Sequence, residues 1–187
     1  RWPFPDELRW LAEQAQTHTL IVEVGSYLGR STCALAANTP GKVYAIDDWY
    51  GPRDDDSIKD EDRPEFYLNF CKNTSGLFVL PIRADHGDVS AFPVEWLRGR
   101  EDEKPDMTFI DGAHDYDSVK RDLLIWRARL RHGGLLCGHD RNEPGVRRAI
   151  DELCPGWQPA PGYSMIWYWM EGGAAMPTGL RKMSIED

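Results

Sequence analysis

An α/β fold with a doubly wound, mostly parallel sheet is what this sequence predicts, on three observations. Apolar, β-rich runs alternate with amphipathic ones along most of the chain. The first five of those runs are almost continuously apolar, as strands covered by helices on both faces must be. The last run follows its predecessor through a Pro/Gly-rich connection too short for a crossover helix, so it pairs antiparallel.

The elements follow in order. PDELRWLAEQAQ (5–16) reads as a helix, because Pro5 followed by two acids suits a helix N-terminus. TLIVEV (19–24) is the first strand, and VGSYLGRST then brackets a tight turn between Gly25 and Gly29 into a helix from about Arg30. KVYAID (42–47) is the second strand. From Asp48 to about Arg63 the chain reads DWYGPRDDDSIKDEDR, with little periodicity. A loop of that length predicts a lid over 48–63, with Trp49 and Tyr50 at its root placed to touch a ligand. LFVLPIRAD (77–85), DMTFID (106–111) and GGLLCGHD (133–140) supply three more strands. Tyr116, Val119, Leu123, Trp126 and Leu130 recur at helical spacing until Gly133-Gly134 stops the pattern. PGVRRAIDEL (144–153) is another helix, and YSMIWYWM (163–170) is the last strand, paired near Trp157. At 187 residues the whole chain, 1–187, is expected to be one domain.

Composition narrows the function. With 22 basic against 31 acidic residues the net charge is −9, which argues against a nucleic-acid or anionic-membrane surface. No apolar stretch approaches the roughly 20 residues of a membrane span, and no signal-peptide pattern is visible. The four cysteines (Cys33, Cys71, Cys137 and Cys154) form no CxxC pair and read as free thiols of a reducing, cytoplasmic compartment. Eight tryptophans are more than a domain of this size usually carries, and a homodimer is one use for them.

In such sheets ligands bind beyond the carboxyl ends of the strands, and here those ends are acidic. Glu23 precedes the Gly25 turn, where a carboxylate suits a ligand carrying an ammonium or sulfonium. The spacing there is G-x-x-x-G, not the G-x-G-x-x-G of dinucleotide sites. Asp47 ends the second strand, 24 residues beyond Glu23, where an acid commonly takes both ribose hydroxyls. Asp48 follows it. Asp85, in RADHGD, is placed to take an exocyclic adenine amine.

The order E-x-G-x-x-x-G, YAIDDW, FIDGAHDYDSVKRDL, LRHGGLLCGHD and PGVRRAIDEL resembles class I S-adenosylmethionine-dependent methyltransferases. More narrowly it is similar to the bacterial small-molecule O-methyltransferases, the group of the macrolide-sugar and cephalosporin-biosynthesis enzymes, over residues 19 to 170. That resemblance implies a Rossmann-like sheet of seven strands with the last antiparallel. It also implies that Glu23, Gly25 and Ser26, with Gly29 in the same turn, hold the methionine end of S-adenosylmethionine. Asp47 with Asp48 would hold the ribose, and Asp85 with His86 the adenine; Asp111 also faces the cofactor.

Asp111, His114, His139 and Asp140 are expected to converge, because neighbouring parallel strands end side by side. Two carboxylates there repel unless a cation sits between them, and a divalent metal held by Asp111 and Asp140 meets that need. Mg²⁺ is the expected ion. In the macrolide-sugar relatives the residue before the final aspartate is an acidic ligand; here it is His139, and an imidazole favours Mn²⁺ or Zn²⁺. His114 is placed as general base for a substrate hydroxyl, with Asp111 beside it. The predicted function is methyl transfer from S-adenosylmethionine to a hydroxyl of a small molecule or sugar. Three alternatives remain at this point. A metal-dependent hydrolase leaves Glu23 and Asp47 unexplained. A nicotinamide-dependent oxidoreductase lacks its fingerprint, and a binding module makes no use of the retained acids.

Overall fold

A computed structural model describes residues 5–51, 63–85, 87–88, 91–93, 96, 100–162 and 164–170. The central part of the expected lid (52–62) and His86 lie outside the described residues.

The elements alternate as the hydrophobic pattern requires. They run α1 (Pro5–Ala15), β1 (Leu20–Val24), α2 (Arg30–Ala36), β2 (Lys42–Asp47), α3 (Arg63–Asn73), β3 (Val79–Arg83), β4 (Met107–Ile110), α4 (Tyr116–Arg129), β5 (Leu135–Gly138), α5 (Pro144–Leu153), β6 (Gln158–Pro159) and β7 (Trp167–Met170). The sheet order is β3-β2-β1-β4-β5-β7-β6. β1 through β5 pair parallel, and β7 inserts antiparallel between β5 and the two-residue β6. The expected Rossmann-like architecture of seven strands is therefore present. The pairing of the last strand near Trp157 is also seen, in the register Gln158 with Tyr168.

Alternation along the strands sorts side chains onto two faces. One face packs Ile21, Val43, Phe109 and Cys137 under Trp10 and Leu11 of α1 and Leu35 of α2. The other packs Val22, Ile110 and Leu136 against Leu123 and Trp126 of α4 and Ile150 of α5. The apolar stripe expected between Tyr116 and Leu130 is this second contact: Val119, Leu123, Trp126 and Leu130 are all buried. Asp115 caps α4, its side chain accepting from the Ser118 N–H at 3.0 Å.

Two expectations need correction. β3 is shorter than 77–85 and only partly buried, because it forms the sheet's edge and is covered less than an inner strand. The helix α3 was not foreseen; its apolar spacing is weak, and Phe70 is its one buried residue. The four cysteines are free, as expected. Among the described residues no helix is long and apolar enough to cross a membrane.

Candidate active site

β1 and β4 are neighbours at the point where the strand order turns back, which is where such sheets open a ligand crevice. Strand alternation decides which side chains line it. Ile21, Phe109 and Cys137 point toward α1 and α2. Two residues further along the same face come Glu23, Asp111 and His139. The ladder continues past the strand ends, with Asp111 N–H donating to Val24 O at 2.8 Å and His139 N–H to Ile110 O at 3.0 Å. Those bonds fix both side chains side by side.

Glu23 is wholly buried, and its Oε2 accepts from the Thr32 hydroxyl of α2, while Oε1 accepts no hydrogen bond. Burial pushes its pKa up to about 7; the nearby Ser31, Thr32 and Ser26 hydroxyls pull it back, and Asp111 adds to the rise. The buried Ser26 hydroxyl also completes no hydrogen bond. A buried acceptor left open beside a buried hydroxyl fits a cationic ligand group, which would satisfy both. Gly25 has φ 87, and a Cβ there would strike the Asp111 carbonyl oxygen and stand 2.8 Å from Gly112 Cα. Glycine lets the first and fourth strand ends touch backbone to backbone. Gly29, with φ 84, is glycine for a different reason: a Cβ would meet Thr74 Cγ2 of the turn after α3 at 2.9 Å.

Asp47 is buried at the end of β2, where its carboxylate accepts from Tyr27 N–H at 2.9 Å and Trp49 N–H at 2.6 Å. These bonds hold two non-glycine residues in the left-handed region, Tyr27 at φ 45 and Trp49 at φ 50. Trp49 corrects its sequence reading. Its ring is fully buried, packed on Tyr67 and Phe70 of α3 at centroid distances of 4.9 and 4.8 Å, so it braces the loop root and does not face a ligand. Tyr50 is exposed, with the Arg63 guanidinium 3.9 Å over its ring. Asp48 accepts from Tyr50 N–H at 2.8 Å. Asp85 lies apart from the buried acids: it is exposed, 3.6 Å from Arg121 of α4.

The β4 and β5 ends carry the densest chemistry. His114 Nε2 lies 2.9 Å from Asp140 Oδ2, and His139 Nδ1 lies 3.1 Å from the same oxygen and 3.6 Å from Asp111 Oδ1. The four residues do converge. Among the described residues, Asp111, His139 and Asp140 form a group whose ligand atoms all lie within 4.8 Å of one another. Burial raises Asp111 to about 6, with Asp140 raising it further and His139 and His114 countering. Burial would also raise Asp140, but the hydrogen bonds from His114 and His139 outweigh it and hold the carboxyl well below the usual range. Burial pulls His139 down, yet Asp140, Asp111 and Glu7 together lift it to about 9. The Asp140 hydrogen bond raises His114, against partial burial.

One member of this cluster was not foreseen. Glu7 of α1 is buried, and its Oε2 stands 3.2 Å from His139 Nε2. Its other oxygen accepts from Met165 N–H at 2.5 Å and from the Ser164 hydroxyl at 3.4 Å. The sequence signal was present: Glu7 stands three and four residues before Trp10 and Leu11, on the stripe that α1 buries. The residue that holds His114 is Asp140, at 2.9 Å, while Asp111 stands beside His139. Tyr116 is occupied by Glu152 and by Lys120 at 2.9 Å, with the Arg148 guanidinium 3.7 Å over its ring.

A family model described as a methyltransferase domain matches residues 22–141. No curated protein matches the chain. Among solved structures, the apo TDP-rhamnose 3'-O-methyltransferase of calicheamicin biosynthesis superposes with a TM-score of 0.59 at 16% identity, covering 88% of this chain and 77% of that one. An rRNA methylase from Streptococcus thermophilus gives 0.56 at 14% identity, covering 90% and 96%. A methyltransferase from Streptococcus mutans in complex with S-adenosylhomocysteine gives 0.57 at 14%, covering 91% and 98%. The matched segment holds the acidic strand ends from Glu23 to Asp140, and on that ground the chain belongs to the S-adenosylmethionine-dependent methyltransferase family.

Proposed function

We propose that the protein transfers the methyl group of S-adenosylmethionine to a hydroxyl of a small molecule or sugar, with His114 as general base. The observation that carries this reading is the His114–Asp140 pair, held at 2.9 Å beside the Gly25 turn with the half-exposed imidazole toward the crevice. A histidine whose Nε2 is hydrogen-bonded to a buried carboxylate keeps its proton there, so Nδ1 can take a proton from an acceptor hydroxyl. Glu23 and Ser26 would hold the cationic methionine end, and Asp47 the ribose. Asp48 would stand beside the ribose. Asp85 and His86 are assigned to the adenine by the family resemblance.

S-adenosylmethionine supplies an electrophilic methyl when bound. The chain's part is to hold the acceptor oxygen in line with it and to strip that oxygen's proton as it attacks. Asp111, whose backbone lies close against Gly25, would stand between the cofactor and the acceptor.

The residues present also fit a divalent metal. His139 Nδ1 lies 3.1 Å from Asp140 Oδ2 and 3.6 Å from Asp111 Oδ1, so one imidazole nitrogen and two carboxylates are gathered where a single cation would offset their charge. Asp111, His139 and Asp140 would hold it, Mg²⁺ or, given the imidazole, Mn²⁺. Its chemistry there would be to lower the pKa of a bound hydroxyl.

The test is methyl transfer from labelled S-adenosylmethionine to a panel of sugar and phenolic hydroxyls, with and without a chelator. Transfer to an amine or to RNA in preference to hydroxyls would refute the acceptor class. Full activity under chelation would refute the metal.

A further inference from the structure

Glu7 has no role in the reading above, yet its burial demands one. A carboxylate taken out of water costs several kcal/mol unless it is paired and hydrogen-bonded. Glu7 is 1% exposed and spends its two oxygens on different partners. Oε1 accepts from Met165 N–H and Ser164 Oγ, in the segment that leads into β7. Oε2 faces His139 Nε2 at 3.2 Å. A leucine on this helix face would have filled the space beside Leu11 without that cost.

The consequence lies on the other side of the imidazole. His139 is almost fully buried, and its Nδ1 points at Asp140 Oδ2 and Asp111 Oδ1. A neutral imidazole has one N–H and one lone pair, and a carboxylate at Nε2 keeps the N–H there. Without an ion, Nδ1 also carries a proton, directed at Asp140; an ion held by the two aspartates would take that proton's place, while Glu7 keeps the remaining N–H on Nε2. This is the arrangement by which ligating histidines are oriented: one nitrogen toward the ion, the other donating to a carboxylate behind it.

We propose that Glu7 is a positioning residue for a metal centre formed by Asp111, His139 and Asp140, fixing the tautomer that makes His139 Nδ1 the third ligand. The inference rests on the metal reading given above. It adds that the centre is anchored from α1, which lies outside the 22–141 segment matched to the methyltransferase domain. It also favours Zn²⁺, a borderline ion that imidazole suits, and after it Mn²⁺, over Mg²⁺, which sheds its oxygen ligands reluctantly.

The experiment measures binding of Mn²⁺ and Zn²⁺ to the full chain by titration calorimetry, in wild type, Glu7→Gln and His139→Ala. Wild type should bind one ion, Glu7→Gln should bind it about 10–100-fold more weakly, and His139→Ala more weakly still. S-adenosylhomocysteine affinity should be unchanged in Glu7→Gln, which separates an orientation effect from misfolding. Equal ion affinity in wild type and Glu7→Gln overturns the Glu7 role and leaves the metal reading intact. No ion bound by wild type overturns the metal reading itself. If Glu7→Gln does not fold, long-range nitrogen–proton correlation spectra of Zn²⁺-loaded wild type decide the matter. A His139 protonated on Nε2 with Nδ1 bound to the ion supports the proposal; a proton on Nδ1 overturns it.

Discussion

Asp140 Oδ2 lies between two histidines, 2.9 Å from His114 Nε2 and 3.1 Å from His139 Nδ1, on a backbone held at φ 56. A left-handed conformation at a non-glycine residue costs about 1–3 kcal/mol and persists where the surroundings enforce it. Here the Glu143 N–H donates to Asp140 O at 2.8 Å and the Arg141 N–H to Met165 O at 3.1 Å, so the turn is held from both sides. The strain is spent on aiming one oxygen at two histidines.

That aim sets the pH dependence of turnover. A general base must be neutral, and the Asp140 hydrogen bond raises His114 above its ordinary value of 6.5. The acid limb of kcat/KM against pH should therefore lie above 6.5, with activity rising as pH rises through it. Asp140→Asn removes the charge that favours the imidazolium and should move that limb to lower pH while lowering the plateau. His114→Ala should lower kcat by about 10²–10⁴-fold and abolish the limb. A limb unmoved in Asp140→Asn would assign the titration to another group.

Glu23 predicts a pH-dependent stability of the ligand-free protein. Its folded pKa of about 7 lies above the ordinary 4.5, so the folded state binds the proton more tightly than the unfolded state does. The stabilising contribution is full below pH 4.5 and is lost as pH rises through about 7. The difference corresponds to about 3 kcal/mol at most. Denaturant titrations should show the loss in wild type, and Glu23→Gln should flatten it. A cationic ligand reverses the preference, so S-adenosylmethionine affinity should rise with pH across this window in wild type alone. Parallel curves for both proteins would remove Glu23 from the methionine subsite.

Gly25→Ala tests the close approach of the first and fourth strand ends. The added Cβ meets backbone atoms of Asp111 and Gly112, which cannot yield as a side chain end would, and φ 87 is strained for alanine. A loss of at least 1–3 kcal/mol in unfolding free energy is expected, with Asp111 displaced. Cofactor affinity and turnover should fall together. A variant that keeps wild-type stability would mean that the two strand ends separate without cost.

Much of this site was legible because strand ends are legible. Near-continuous apolar runs mark the strands, and the polar residues at their ends, Glu23, Asp47, Asp111 and the His139-Asp140 pair, stand at the carboxyl edge of the sheet. What escaped notice depends on three-dimensional packing. Glu7 read as an ordinary helix-start acid, since its partner His139 lies far along the chain and only the folded register of α1 on the sheet brings them together. Trp49 read as a ligand contact because it follows an acidic strand end. The positive φ at Trp49 turns its ring inward, where the indole N–H donates to Tyr27 O at 2.9 Å. α3 escaped because a helix with one buried residue carries little periodic signal.

Asp47 does two jobs, and two substitutions separate them. Its carboxylate holds the Tyr27 and Trp49 amides, and with them the two left-handed turns after β1 and β2. It is also the acid placed for a ribose. Asp47→Ala strands two amide donors and should cost about 2–4 kcal/mol of stability besides weakening S-adenosylmethionine. Asp47→Asn keeps one acceptor oxygen for an amide but loses the charge and the second acceptor. It should cost about 1–3 kcal/mol of stability, for the one amide left facing the Asn NH₂, and weaken S-adenosylmethionine by about 1.5–3 kcal/mol, the scale of a hydrogen bond to a charged group. Calorimetric titration alongside thermal melts reads both quantities on the same samples. If Asp47→Asn binds S-adenosylmethionine as wild type does, Asp47 is a brace for the turns and the ribose contact falls to another residue, Asp48 being nearest in sequence.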